Sequence, residues 1–216
     1  MSAQGAHKIT EEFEKELCRY TGAPFAVAVD SCCNALSLCL WRTRELAEWT
    51  SYNGTIQIPR RTYPGVPSEI ILAGAHVEFL PMHGTSLSGA YRLEPTRIWD
   101  SALRFTWDMY LTGQLMCLSF TGPYKHLKLG KGGAILCDNE ADRDWFKKAR
   151  FSGRSECSYH EDSFTMLGKN YYMTPEVAAR GLALMPQFYH LDGSKRKMED
   201  LTLPYPDLSL WKCYQT

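Results

Sequence analysis

The sequence predicts an α/β domain, a three-layer sandwich with a mostly parallel central sheet. Helical and extended segments alternate almost throughout the chain, apolar runs of buried-strand type recur between them, and polar residues cluster just after several of those runs.

The elements follow in order. TEEFEKELCRY (10–20) places Phe13, Leu17 and Tyr20 at helical spacing behind Thr10 as N-cap, and Gly22 ends the helix. Phe25 to Val29 is a buried strand, Asp30 to Asn34 a polar turn, and Ala35 to about Leu46 an apolar helix. TIQIP (55–59) is a second strand, PSEIILAG (67–74) a short helix with Pro67 near its first turn, and HVEFLPM (76–82) a third strand. RIWD (97–100), QLMCLSF (114–120) and GGAILCDN (132–139) read as further strands. ADRDWFKKARF (141–151) is amphipathic, and TPEVAARGLALM (174–185) starts at Thr174 with Pro175 in the first helical position. Residues 1–185 are expected to form one large domain. Residues 186–216, with Pro204, Pro206 and the Lys195–Arg196–Lys197 run, are expected to form a short irregular tail.

Composition narrows the function classes. The 216 residues are 44% hydrophobic and 22% charged, as in a soluble globular protein. Lys plus Arg and Asp plus Glu both number 24, which removes the basic signature of a dedicated nucleic-acid binder and leaves only a local basic groove open. No run approaches the roughly 20 apolar residues of a membrane helix, and the first residues lack the apolar core of a signal peptide. A cytoplasmic location is expected. Of the eight cysteines, Cys18, Cys39, Cys117 and Cys137 sit in apolar runs and Cys32 and Cys33 are adjacent. With no CxxC spacing, reduced thiols and no metal site are expected.

Ligands in such a fold bind beyond the carboxyl ends of the strands. Ser31 to Asn34 open a helix after the first strand, where backbone N–H groups and the helix dipole favour an anion, although an ordinary N-cap is the plainer reading. Asp100 ends RIWD. Lys125, Lys128 and Lys131 lie among glycines in SFTGPYKHLKLGKGG, which suits close approach of a phosphate.

Five blocks in this order resemble the DegT/StrS sugar aminotransferase family, pyridoxal-phosphate (PLP) enzymes of fold type I. They are FEKELCRYTGAPFAVAVDSCCNAL, IPRRTYPGVPSEIILAGAHVEFLPM, IWDSAL, SFTGPYKHLKLGKGG and GKNYYMTPEVAARGLAL, spanning Phe13 to Leu184. The resemblance implies the large domain of a PLP-dependent transferase. It makes Lys125 the Schiff-base lysine and Asp100 the partner of the pyridine nitrogen, with Tyr63 stacked on the ring. Ser31, Cys32, Cys33, Asn34 and Ser119 then hold the phosphate. Asn170 would reach that phosphate from a neighbouring subunit, implying a homodimer with shared sites. Cys32–Cys33 replaces a Gly-Thr of the family, Leu103 a Gln, Thr121 a His and Tyr172 an Arg, and the lysine block carries one extra residue. The family's N-terminal segment is short here and little follows Leu184.

The implied reaction is transfer of an amino group from an amino acid such as glutamate to a keto-sugar or related phosphorylated acceptor. Eight Lys or Arg against four acids between Ser119 and Arg154 would suit a phosphorylated substrate, or a solvated helix face. A second reading keeps PLP but gives it decarboxylase or carbon-bond lyase chemistry on an amino acid attached to a nucleobase in viral DNA, with Arg60 and Arg61 beside Tyr63 as indirect support. A third is a non-catalytic module that binds PLP or a partner.

Overall fold

The computed structural model describes residues 3–51, 53–81 and 86–215. The elements run α1 (Ala3–Thr21), β1 (Phe25–Val29), α2 (Cys32–Glu45), β2 (Thr55–Pro59), α3 (Gly65–Leu72), β3 (His76–Leu80), β4 (Ser86–Leu87), β5 (Ala90–Arg92), β6 (Ile98–Asp100), β7 (Leu115–Ser119), β8 (Gly133–Cys137), α4 (Glu140–Ala149) and α5 (Pro175–Leu184). Most lie where the periodicity puts them. The first helix differs: it runs from Ala3, and Thr10 is buried inside it rather than capping it. Met82, expected at the end of the third strand, lies outside the described residues.

The main sheet has the order β1-β8-β7-β6-β5-β4, with β2 and β3 paired beside it. Period-two alternation builds three layers. Ala26, Ala28, Met116, Leu118, Ala134 and Leu136 face a core that includes Phe13, Leu17 and Tyr20 of α1 and Ala178 of α5. Their neighbours Val27, Val29, Leu115, Cys117, Ile135 and Cys137 face the opposite core, with Leu36 of α2, Ile70 of α3 and Phe146 of α4. The two helices over the first core approach closely, because a Cβ on Gly181 would meet the Phe13 ring at 2.5 Å.

The expected sandwich is present, but the strand directions depart from mostly parallel. Within the main sheet only β6 and β7 pair in parallel. The cause is local. The link from β7 to β8 contains no crossover helix, and a strand returned without one runs antiparallel. A tight turn at Ser88–Gly89 likewise reverses β5 on β4. Because β8 is reversed between β1 and β7, the strands β1, β6 and β7 still point the same way.

Arg150, at the end of α4, is among the largest fully buried side chains. Its guanidinium donates to Glu14 of α1, to Glu156 Oε1 at 2.7 Å and to the Ala28 carbonyl of β1 at 2.6 Å. Burial pushes the Glu156 carboxyl up, but Arg150 and Lys147 together hold it below its usual value. Arg150→Met leaves two carboxylates in the interior without their main partner. A loss of about 3–5 kcal/mol is expected from breaking such a buried network, read as a lowered midpoint in urea.

All eight cysteines are free thiols. No helix among the described residues is long and apolar enough to cross a membrane.

Candidate active site

The shared direction of β1, β6 and β7 brings their carboxyl ends to one edge of the sheet. Ser31 follows β1, Asp100 ends β6 and Ser119 ends β7. Gly133 opens the reversed strand at the same edge, paired with both Val29 and Ser119. A Cβ on Gly133 would stand 2.6 Å from Ser31 C, 2.7 Å from Cys32 N and 2.8 Å from Leu118 O. These are all backbone atoms, which cannot swing aside. Gly133→Ala therefore pushes the start of α2 off the sheet, with an expected cost of about 1–3 kcal/mol by overpacking. A lowered Tm accompanied by weaker anion binding checks this.

The edge holds a cavity of about 270 Å³. Its lining includes Ser31, Cys32 and Cys33 at the start of α2, Asp100, Ala102, Ser119, Thr121 and Lys125 from the strand ends and the loops after them, and the apolar surfaces of Leu36, Val66 and Tyr63. Ser31 is a true N-cap, its hydroxyl accepting from Asn34 N at 3.2 Å. Lys125 is half-buried, and its Nζ donates to the Ala102 carbonyl at 2.7 Å. Burial lowers its pKa, opposed by Cys32 and Asp100. Asp100 is 5% exposed. Burial pushes its carboxyl up, while the Ala102 N–H on Oδ1 (2.9 Å), the Tyr91 hydroxyl on Oδ2 (3.0 Å) and the Lys125 charge hold it back. A carboxylate and an amine of moderated basicity thus share one small, largely apolar chamber.

Seven of the expected site residues line this cavity, Ser31, Cys32, Cys33, Tyr63, Asp100, Ser119 and Lys125, and Thr121, the replacement of a family His, joins them. Asn34 does not line the cavity; its amide donates to Asp30. Asn170 is exposed, bridged to Phe151 and not part of the lining of the cavity of its own chain. Lys131 pairs with Asp30 at 3.1 Å. Burial and then the charges of Glu69 and Asp100 push the Cys33 thiol up to about 11, and burial raises Cys32 further. Both stay protonated at neutral pH and carry no charge against an anion.

Other observations change the reading of the basic residues. Of the eight between Ser119 and Arg154, five are in ion pairs: Lys131, Arg143, Lys147, Arg150 and Arg154. Arg60 and Arg61 hold the tail, Arg60 through Asp207 at 3.3 Å and Arg61 through the Tyr205 carbonyl at 3.1 Å. That tail brings Leu203 and Tyr205 to the cavity, where the Tyr205 ring meets Tyr63 edge-on at 6.4 Å. Tyr205, Tyr124 and Tyr91 were not singled out by the sequence. A phenol between Gly-Ala and an arginine carries no motif, and tail residues among prolines carry no periodicity.

Residues 4–89 and 111–202 match the profile of the DegT/DnrJ/EryC1/StrS aminotransferase family. The chain belongs to this family. Its members are PLP-dependent aminotransferases. The matched blocks include Lys125, Ser31 to Asn34, Tyr63, Ser119 and Asn170, whereas Asp100 and Tyr91 fall between them. Among solved structures the fold is similar to AtS13 from Actinomadura melliaura (TM-score 0.66, 18% identity, 82% of this chain and 59% of that one). It is also similar to Helicobacter pylori PseC, an aminotransferase involved in the biosynthesis of pseudoaminic acid (0.66, 15%, 83% and 57%). A third is the sugar aminotransferase CalS13 from Micromonospora echinospora (0.64, 17%, 83% and 60%). The chain thus spans 57–60% of the length of these structures. No curated protein sequence matches it.

Proposed function

We propose that this chain is a PLP-dependent aminotransferase that takes an amino group from an amino acid such as glutamate and delivers it to a keto-sugar or related acceptor. The observation carrying the reading is the single cavity that joins Lys125, Asp100 and the first turn of α2. Those donors fit the cofactor. Lys125 Nζ is the amine that would hold it covalently, and burial favours the unprotonated form that bonding needs. Asp100 would accept from a protonated pyridine nitrogen. Ser31, Ser119 and the helix N-terminus would hold the phosphate, and Tyr63 would cover a ring face. When bound, PLP supplies the electron sink that lets bonds at an amine-bearing carbon break and form.

The chain's own part is proton handling and placement. Lys125, which lines the cavity, is the base that takes the proton from the substrate carbon and returns it elsewhere. The Asp100 carboxylate, buried and hydrogen-bonded, holds the neighbouring positive charge in place without competition from water. Leu36, Val66 and the tail residues Leu203 and Tyr205 restrict water at the same point. Asn170, exposed and outside its own cavity, supports a homodimer in which it serves the partner's site.

Loading the protein with PLP and adding glutamate, without an acceptor, tests the reading. One equivalent of 2-oxoglutarate per site is expected. A loaded protein that yields no 2-oxo acid from any free amino acid overturns the transaminase reading.

A further inference from the structure

Asp100 does not stand alone. Tyr91 of β5 sits directly opposite it in the antiparallel ladder, and its hydroxyl donates to Asp100 Oδ2 at 3.0 Å. Behind it, Thr62 meets the same hydroxyl through a short hydrogen bond. A phenol has one proton, and an ionised carboxylate only accepts. The Tyr91 proton therefore lies toward Asp100, and Thr62 must donate to Tyr91. Ala102 N–H and, at 4.0 Å, the Cys32 thiol then donate to Oδ1, and the Tyr91 O–H is the side-chain donor on Oδ2, the carboxylate itself lining the cavity.

We propose that Tyr91 is a positioning residue for the reaction, its hydroxyl, supported by Thr62, fixing both the rotamer and the charge of the Asp100 carboxylate. The inference rests on the PLP reading for what that carboxylate faces, but not for the network itself. The geometry is directional: a chain of donors runs from Thr62 through Tyr91 into Asp100, opposing the upward push of burial on its carboxyl. Burial and the Asp100 charge keep the Tyr91 phenol well above its ordinary pKa, so it remains a donor. The other groups facing Asp100 are Cys32 and Cys33 of α2, Cys117 of β7, Lys125 and Tyr205. The thiols and Tyr205, which burial pushes up to about 12, stay neutral, so Lys125 is the charge to control for.

The test is a pH titration of the apo protein carrying ¹³C-labelled aspartate, with Asp100 assigned through Asp100→Asn and the series repeated with Lys125→Met. In Tyr91→Phe the Asp100 midpoint is expected to move up, in both backgrounds. On adding PLP to the Lys125-containing Tyr91→Phe protein, the dissociation constant is expected to rise roughly tenfold, the worth of one hydrogen bond to a charge. Thr62→Val should shift both readouts the same way by less, and it serves if Tyr91→Phe fails to fold. An Asp100 midpoint identical to wild type in both variants overturns the proposal. A shifted midpoint in a protein whose wild type never binds PLP upholds the positioning role and overturns the cofactor reading instead.

Discussion

Lys125→Ala should abolish covalent retention of PLP and reduce glutamate turnover by roughly 10²–10⁴-fold, the range expected when a positioned acid–base group is lost. The fold should survive. Lys125 is only half-buried and makes one hydrogen bond, to the Ala102 carbonyl. Its lowered pKa means that burial works against the charged form. The unfolded chain then binds the proton more tightly than the native one, so wild-type stability rises with pH between the native value and the ordinary lysine value. Lys125→Ala removes that rise. Melting curves from neutral pH upward should show the two proteins converging, with the variant no less stable at pH 7.

Asp100→Asn separates stability from function in a similar way. Turnover should fall by about 10²–10³-fold, as for loss of one preorganised electrostatic partner. The apo protein should become more stable at neutral pH. Burial raises the Asp100 carboxyl, so the native state holds its proton more tightly than the unfolded chain does. Stability is lost as pH climbs through the carboxylate range toward that raised value, and the full penalty applies above it. Asparagine removes the penalty and keeps the contacts: its carbonyl takes the Ala102 N–H, its amide donates to Tyr91, and Tyr91 turns to Thr62. Lys125, no longer facing a carboxylate, should titrate lower still. The gain should appear as a raised Tm at neutral pH, and it should vanish in acid.

Much of this site is legible in the sequence because it is built from strand ends. An apolar run followed by a polar residue marks Ser31, Asp100 and Ser119, and the run TIQIP coincides with β2 to the residue. Strand direction is not legible in that way. β8 has the same apolar character as β1 and β7, and its reversal follows from the lack of a helix in the preceding link. Tyr91 escapes notice because β5 is three residues long and too short to show alternation. Leu203 and Tyr205 reach the cavity through tertiary ties, Arg60–Asp207 and Leu201 N to Leu103 O at 2.8 Å, which no local pattern encodes. The excess of basic residues from Ser119 to Arg154 is largely taken up by ion pairs within the fold, and Arg150 is buried rather than on a solvated helix face, a pairing that no local pattern encodes.

The central claim is that Lys125 is the amine that holds the cofactor in this cavity. Incubating the protein with PLP, reducing with borohydride and mapping the modified peptide by mass spectrometry tests it directly. One stoichiometric modification is expected, on Lys125, and it is lost in Lys125→Ala. Modification spread over surface lysines such as Lys128, or none at all, would contradict it.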